Sequence, residues 1–311
     1  MLNGWLPTEG PEITDLIIDY DPATLERKPV RKAEVVARFA ALSDFYAVRV
    51  VDSIPDVKGV LDPAAVDRLM IATHCELQRM SEEFEHGRRV LELIQPLLAA
   101  LRATGARPPY RVVDIGCGTG YVARWLAAHG RLPEDVTISG VDYNRALVEE
   151  SRRLATLENL RCDFEVANAF RLSRPATILL STGVLHHFRD ASLDAFLAQH
   201  AGAGALAFAH FDFQPSPAAL PGAWVFHMIR MSLPICHHDG VLSAARAHPA
   251  SALVAAAQHS GPGFATALYG RRFAGTPLPR VFQSLVGVER GLADAFTAAL
   301  GPRAARLEWN A

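Results

Sequence analysis

The chain predicts an α/β fold with a mostly parallel sheet that is covered by helices on both faces. From about residue 108 onward, short apolar runs of strand length alternate with amphipathic stretches of helical length. The first of these runs, 111–115, leads into a glycine-rich turn, and a helix follows at once. This order is typical of sheets that bind a ligand over the carboxyl ends of their strands.

Strands and helices alternate through the rest of this region. Strands are predicted at 111–115, 137–142, 161–166, 176–182, 203–211, 264–269 and 281–288. Helices are predicted near 120–129, 144–156, 190–200, 249–259 and 290–300. The first hundred residues differ, because they contain no strong strand and predict helices at 31–54, 62–77 and 87–103.

Composition excludes several classes of protein. The 311 residues include 31 basic and 33 acidic side chains, which give a formal net charge of -2. We therefore expect no basic surface for binding nucleic acid. No window reaches the roughly 18 uninterrupted apolar residues of a membrane span. The N-terminus carries acidic residues where a signal peptide would be basic. Four widely spaced cysteines indicate reduced thiols. We therefore expect a cytoplasmic protein without a membrane or nucleic-acid partner.

The glycine-rich turn is the most informative motif. It reads Asp114-Ile115-Gly116-Cys117-Gly118-Thr119-Gly120 and joins the first strand to a helix. Glycine permits positive φ and a close approach of the backbone to a ligand, and a helix N-terminus presents N–H groups to that ligand. The dinucleotide-binding pattern G-x-G-x-x-G requires glycine where Tyr121 stands, which disfavours an NAD-dependent oxidoreductase.

Two further strand ends carry polar residues. Asp142 ends the second strand, about twenty residues after the turn, where a carboxylate can accept hydrogen bonds from both hydroxyls of an adenosine ribose. An N-cap for the helix that begins near Asn144 is the alternative role at this position. Asn168 follows the third strand, and its amide oxygen can accept a hydrogen bond.

A fourth motif, Val184-Leu185-His186-His187-Phe188, follows the fourth strand. Together the motifs resemble the small-molecule branch of the class I S-adenosylmethionine (SAM)-dependent methyltransferases, the type seen in ubiquinone-biosynthesis-like, sugar and polyketide methyltransferases. The resemblance covers 87–215 by motif, and 216–311 only by the order of strands and helices. Asn168 departs from it, because the family usually has Asp before the alanine at this strand end.

The resemblance implies a Rossmann-like sheet of seven strands with the last strand antiparallel, SAM as methyl donor and S-adenosylhomocysteine (SAH) as product. It also implies a set of cofactor-binding residues. They are Arg88, Asp114, Gly116, Cys117, Gly118, Gly120, Asp142, Tyr143, Asn168, Ala169 and Thr182.

Side chains at two neighbouring strand ends are candidate catalytic groups. His186 and His187 follow the fourth strand, and His210 and Asp212 lie at the end of the fifth. Transfer of a methyl group to a hydroxyl benefits from a general base, and histidine is the natural base near neutral pH. We favour His187 as the base, with Asp212 or His210 in support. The alternative is that one histidine of the pair only hydrogen-bonds the turn.

The segment Cys236-His237-His238-Asp239-Gly240 offers metal-ligating side chains. It lacks the second, distant pair of ligands that a structural zinc site needs. We therefore expect no metal here, and interpret the segment as a turn that lines the substrate pocket.

These patterns divide the chain into a helical N-terminal lid, 1–105, and a SAM-binding domain, 106–311, with a substrate-specific insertion near 214–245. The expected function is O-methylation of a small molecule that bears a phenol, quinol or sugar hydroxyl. C-methylation of an activated small molecule, and altered chemistry on a SAM-binding fold, are the alternatives. The expected partner is the small-molecule substrate, and a homodimer stays open.

Overall fold

A computed structural model describes residues 10–309 except 173, 274, 275, 277 and 279. Within this part the chain forms two compact units. The smaller unit contains the residues up to Met80 together with Pro215–Arg246. The larger unit contains Ser81–Gln214 and the residues from Ala247 onward. The helix that precedes the glycine turn therefore groups with the sheet, and the predicted functional boundary at 105/106 stays a prediction.

Twelve strands are formed by the described residues. They are β1 Asp19–Tyr20, β2 Arg27–Lys28, β3 Asp56–Val57, β4 Val60–Leu61, β5 Tyr110–Ile115, β6 Val136–Asp142, β7 Asp163–Val166, β8 Ile178–Thr182, β9 Ala207–Phe213, β10 Phe264–Tyr269, β11 Phe282–Glu289 and β12 Leu307–Trp309.

The same residues form twelve α-helices and three 3₁₀ segments. The helices are α1 Ile13–Leu16, α2 Lys32–Ala41, α3 Phe45–Ser53, α4 Pro63–Glu83, α5 His86–Ala103, α6 Tyr121–His129, α7 Arg145–Leu157, α8 Ala191–Gly202, α9 Ala219–Arg230, α10 Pro234–Ala245, α11 Ala250–Ser260 and α12 Ala293–Leu300. The 3₁₀ segments are Leu185–His187, Arg290–Leu292 and Gly301–Arg306. In the described part of the chain, no helix is both long enough and apolar enough to cross a membrane.

The larger unit is built on an eight-stranded sheet with the order β12-β10-β11-β9-β8-β5-β6-β7. Strands β5 to β9 pair in parallel, whereas β11 runs antiparallel to both β9 and β10. The α/β fold and the antiparallel seventh strand are thereby confirmed. The eighth strand, β12, was not predicted, because its three residues carry too little pattern and owe their strand form to pairing with the edge of β10.

The sheet is buried on both faces, as the apolar strand sequences require. Alternate residues of each strand point to opposite faces. Val112 and Ile178 join one apolar cluster with helices α5, α6, α7 and α12. Val113 and Leu179 join another with α8 and α11. This sandwich fixes the strand ends, and with them the side chains that follow each strand.

Several predicted boundaries were wrong. The single helix expected at 31–54 is two helices, because Asp44 caps α3 by accepting a hydrogen bond from the Ala47 N–H at 2.9 Å. Strand β9 begins four residues later than predicted, since Gly204 turns the chain with a φ of +72°. Two short antiparallel ribbons, β1–β2 and β3–β4, lie in a region expected to be free of strong strands.

The histidine-rich segment at 236–240 is helical, so the predicted turn was wrong. Pro234 occupies the first turn of α10, where a missing N–H has no cost. Within this unit the His238 ring lies between two carboxylates: Nδ1 is 2.6 Å from Asp239 Oδ1, and Nε2 is 2.8 Å from Asp44 Oδ2. Burial opposes the charge, but the hydrogen bonds from these carboxylates raise the pKa of His238 to about 9. His238 therefore forms ion pairs with Asp239 in its own helix and with Asp44, the residue that caps α3.

Candidate active site at the carboxyl edge of the sheet

The glycine-rich turn connects β5 to α6 in a conformation that only glycine adopts easily. Gly116, Gly118 and Gly120 have φ values of +66°, +55° and +75°. Gly120 is the N-cap residue of α6 and supplies no side-chain cap. The N-terminus of α6 therefore faces the turn without a side chain in front of it, which is the arrangement that anionic and polar ligands use.

Close packing around the turn also requires glycine. A Cβ atom at Gly116 would lie 2.8 Å from Val184 Cγ2, and one at Gly120 would collide with the Phe164 ring. Val184 begins the histidine-bearing segment after β8, so the first glycine lets two strand ends approach each other. The motif residues of β5 and β8 are thus brought together as the sequence predicted.

Asp142 holds the turn from the neighbouring strand. Its Oδ2 accepts a hydrogen bond from the Gly118 N–H at 3.0 Å, and its Oδ1 accepts one from the Asn144 N–H at 2.9 Å. Asn144 is the residue that caps α7, since its Oδ1 accepts from the Ala146 N–H at 3.0 Å. Of the two roles weighed for this position, the N-cap role falls to Asn144, and the ribose-binding role of Asp142 stays a prediction.

Asp114 lies beneath the turn and is completely buried. Its Oδ1 has no hydrogen-bond partner among the described residues. Burial, and secondarily the charge of Asp142, raise the pKa of Asp114 well above its usual range. Burial likewise raises the pKa of the Cys117 thiol, so that this cysteine is a neutral lining group.

The other predicted cofactor residues lie along the same edge in varied settings. The Asn168 Oδ1 accepts a hydrogen bond from the Phe170 N–H at 2.8 Å. Ala169 and Thr182 are half-buried, and Tyr143 is exposed. Arg88 is exposed and pairs with Glu85, with 3.3 Å between Arg88 Nη2 and Glu85 Oε2.

His186 and Asp212 form a buried pair at the carboxyl ends of β8 and β9. The His186 Nδ1 lies 2.9 Å from Asp212 Oδ1, and the His186 backbone N–H donates to Asp212 Oδ2 at 2.9 Å. The Phe213 N–H donates to Asp212 Oδ1 at 2.7 Å. Burial alone would raise the pKa of Asp212, but the charge and hydrogen bonds of His186, with the Phe213 N–H, lower it overall. The carboxylate is therefore anionic and orients the His186 ring.

The structure assigns Asp212 to His186, whereas the sequence favoured His187 with that support. The two rings lie side by side, with centroids 4.3 Å apart, and His187 is the less buried of the two. Both histidines are at the edge where the sequence placed them. The orienting hydrogen bonds differ from the expectation because the 3₁₀ segment 185–187 turns His186 toward β9.

His210 belongs to a different network, so its predicted support of a base was wrong. Its Nδ1 lies 2.9 Å from Ser181 Oγ, and its Nε2 lies 2.6 Å from His200 Nε2. All three side chains are fully buried. Burial lowers the pKa of His200 to about 3, and burial with the neighbouring His200 lowers that of His210 well below its usual range. Two neutral rings in the core cannot reach an acceptor at the edge.

His248 is a positioning residue that the sequence did not reveal. Its Nε2 lies 3.0 Å from the Leu185 carbonyl oxygen and 2.8 Å from the Phe188 carbonyl oxygen, so an N–H there fastens both ends of the histidine turn. Burial lowers its pKa, which favours the neutral ring. The two segments are about sixty residues apart in the chain, and no local pattern connects them.

Comparison with known proteins agrees with this geometry. Residues 112–203 match the family model for a methyltransferase domain. The trans-aconitate 2-methyltransferase of Pseudomonas aeruginosa (strain UCBPP-PA14) is 36% identical over 103 residues, which are 32% of this chain and 35% of that protein. The enzyme of the same name from Pseudomonas paraeruginosa (strain DSM 24068 / PA7) is 34% identical over 94 residues, 30% of this chain and 32% of the relative. The matched segments thus span about a third of the length of these curated relatives.

A solved structure extends the likeness in fold. The plantazolicin methyltransferase BpumL, determined in complex with SAH, aligns with a TM-score of 0.51 at 11% identity, over 72% of this chain and 96% of that one. The sheet order, the glycine turn and the acidic strand ends define a class I SAM-dependent methyltransferase fold. Residues 112–203, which contain the glycine turn and the histidine segment, are the part of this chain that is similar to a methyltransferase domain.

Proposed function

We propose that this chain transfers a methyl group from SAM to a hydroxyl oxygen of a small molecule, such as a phenol, a quinol or a sugar. The observation that carries the proposal is the buried His186–Asp212 pair beside the glycine turn. A hydroxyl acceptor must lose a proton as its oxygen forms the new bond to carbon, and an oriented imidazole is suited to take that proton. The pair lies at the strand ends where this fold binds its ligands.

The cofactor site fits the donor that the family uses. The glycine turn gives close backbone approach, Asp142 is fixed at the end of β6, and Asn168 offers an amide oxygen beyond β7. When bound, SAM supplies a methyl group on a positively charged sulfur. The role of the protein is then to exclude water and to align the acceptor, which lowers the barrier by positioning.

The base in this proposal is His186. Because Asp212 accepts at Nδ1, it favours the tautomer with the proton on Nδ1 and the lone pair on Nε2. The proton of the acceptor hydroxyl would pass to that nitrogen. His187 stacks beside it and is the alternative base, as the sequence suggested. C-methylation of an activated carbon would use the same base.

A carboxylate acceptor is the second candidate, and the similarity to the trans-aconitate 2-methyltransferases favours it. A carboxylate at neutral pH is already deprotonated and needs no base. The two candidates therefore differ in one respect that can be measured: only the hydroxyl acceptor makes turnover depend on Asp212. The lid role of 1–105, the substrate-specific role of 214–245, a cytoplasmic location and a homodimer stay predictions.

The proposal is tested by incubating the protein with methyl-labelled SAM and matched acceptors. The panel pairs phenols, quinols and sugars with their O-methylated forms, and adds trans-aconitate. We expect label transfer to at least one hydroxyl compound and none to its methylated partner. Transfer to trans-aconitate alone would establish the second candidate. Transfer to no member by a protein that binds SAH would refute the acceptor class proposed here.

A further inference from the structure

A histidine and two arginines form a cluster at the start of α5 and the start of β11. His86 and Arg89 are three residues apart in the first turn of α5, so their side chains share one face of the helix. Arg280 and Phe282 are two residues apart where the chain enters β11. The His86 ring packs edge-on against the Phe282 ring, with centroids 4.6 Å apart. That contact joins the two segments, and Arg89 lies close enough to act through its charge on His86 and to be acted on by the charge of Arg280.

Among the described residues, the histidine of this cluster has ring contacts but no hydrogen-bond partner. His86 is 5% exposed, and neither of its ring nitrogens is hydrogen-bonded within the described residues. Burial, followed by the charge of Arg89, lowers its pKa to about 4, so the ring is neutral with one N–H donor. A buried donor without a partner costs free energy, which a ligand would recover.

The two arginine charges lie near each other, and the carboxylates that act on Arg89 each pair with another arginine. Burial, and then the charge of Arg280, lower the pKa of Arg89, which shows that two like charges are held near each other. Glu85 and Glu92 also act on Arg89, but each is paired elsewhere: Glu85 with Arg88 at 3.3 Å, and Glu92 with Arg306 at 3.4 Å.

Arg280 also offers an unpaired donor within the described residues. Its buried Nε has no hydrogen-bond partner within the described residues, and its guanidinium stands 5.3 Å from the centre of the Phe273 ring. A guanidinium with an unpaired Nε can donate a hydrogen bond to an oxyanion, and arginine can bind a carboxylate through two parallel hydrogen bonds.

The cluster lies on the acceptor side of the sheet rather than on the cofactor side. β11 is the third strand from β5, after β8 and β9, and strands lie about 4.8 Å apart, so its start is about 14 Å from the glycine turn. Two aromatic rings connect the cluster to the His186–Asp212 pair. The ring centroids of Phe282 and Phe213 are 4.9 Å apart, and those of Phe213 and His186 are 5.7 Å apart.

We propose that His86, Arg89 and Arg280 form a carboxylate-binding subsite that holds an anionic group of the methyl acceptor. The inference rests on the proposed function and narrows its substrate class. The acceptor would carry a carboxylate apart from the oxygen that is methylated, joined by an apolar or aromatic part that packs on Phe213 and Phe282. Arg89 and Arg280 pair with the carboxylate, and the His86 N–H donates to it.

Calorimetric titration of the SAH-saturated protein tests the subsite. The probes are 4-hydroxybenzoate, its neutral analogue 4-hydroxybenzamide, and trans-aconitate. We expect at least one carboxylate to bind, and 4-hydroxybenzoate to bind at least about tenfold more tightly than the amide, as loss of a charge-assisted pair implies. Arg280→Gln and Arg89→Gln should each remove most of that preference.

Matched controls separate the possible outcomes. Arg102→Gln removes an equal charge from the last turn of the same helix, where Arg102 pairs with Asp135 at 2.8 Å, and should change nothing. SAH affinity should stay within about twofold in Arg280→Gln. Failure of both carboxylates to bind while SAH still binds would overturn the subsite alone. A loss of SAH affinity in Arg280→Gln would assign the cluster to the carboxylate of the cofactor, and would also overturn the inference.

Discussion

The two halves of the sheet edge use buried carboxylates differently. Beside β5 and β6, Asp142 accepts N–H groups from the glycine turn and from Asn144, so it shapes a backbone. Beside β8 and β9, Asp212 also accepts two backbone N–H groups, but it holds the ring of His186 as well. In the first half the carboxylate shapes the backbone of the glycine turn, and in the second half it orients a histidine ring that can act as a base. Binding and turnover should therefore be separable by single substitutions.

The electrostatics of the two halves differ in the same sense. Burial raises the pKa of Asp114 under the glycine turn, with the charge of Asp142 adding to the effect. Asp212 is equally buried, yet its pKa is lowered because His186 and two N–H groups stabilise the anion. A buried carboxyl group thus becomes a neutral structural element or a charged functional one according to its partners.

The largest effect is expected from Asp212→Asn. The amide cannot fix the same tautomer of His186, so turnover on a hydroxyl acceptor should fall about 10²–10⁴-fold. SAH affinity should stay within about twofold, because the cofactor half is untouched. Rate measurements with labelled SAM and calorimetry with SAH check the two arms, and ¹⁵N NMR of the imidazole reports the tautomer directly.

The control for this substitution is Asp294→Asn on the exposed face of α12. It removes the same charge beyond the end of antiparallel β11, at the opposite edge of the sheet, and should alter neither quantity. Equal losses of rate and SAH affinity in Asp212→Asn would contradict the separation of the two halves.

Gly120→Ala should destabilise the protein through the backbone of the glycine turn in the cofactor half. The residue has a φ of +75°, and a Cβ atom would collide with the Phe164 ring. Left-handed strain and overpacking together should lower the free energy of unfolding by about 2–4 kcal/mol. Urea denaturation measures this change. Gly202→Ala is the matched control, since nothing lies within 4 Å of a Cβ there, and helix propensity should make it stabilising by about 0.5–1 kcal/mol.

Two buried groups, His200 in the core and Asp114 under the glycine turn, should make stability respond to pH with opposite sign. The pKa of His200 is about 3 when folded against about 6.5 when unfolded, so the unfolded chain binds the extra proton between these values. The contribution of His200 to the free energy of unfolding is fully present above pH 6.5. It is lost as the pH falls toward 3, by up to about 1.4 kcal/mol per pH unit. Asp114, with a raised pKa, contributes stability at low pH that is lost as the pH rises through its folded value.

Urea denaturation between pH 4 and 8 distinguishes these contributions. His200→Gln should flatten the acid decline, and Asp114→Asn should gain stability relative to the parent chain as the pH rises. Exposed His259→Gln is the control and should leave the slope unchanged. A wild-type slope that neither substitution alters would show that the buried groups are not the source.

The cofactor half was predictable from sequence because its information is local. The glycines join β5 to α6, and Asp142 and Asn144 lie in the next strand–turn–helix unit, so the periodicity of two consecutive units places them. The acceptor half depends on contacts between distant segments. His248 reaches the histidine turn from about sixty residues away, and His200 diverts His210 from the edge into the core. The position of His210 near a strand end made it a candidate, but its partners and the role of His248 are set by packing between distant segments.

The most direct test of the central claim is calorimetric titration with SAH, SAM and NAD, on the wild type and on Asp142→Ala. We expect micromolar binding of SAH and SAM and no binding of NAD. The substitution should weaken SAH binding by about 10–100-fold, the value of lost hydrogen bonds to a charged group. A folded wild-type protein that binds neither sulfur ligand, or that binds NAD instead, would contradict the account of the glycine turn and of Asp142.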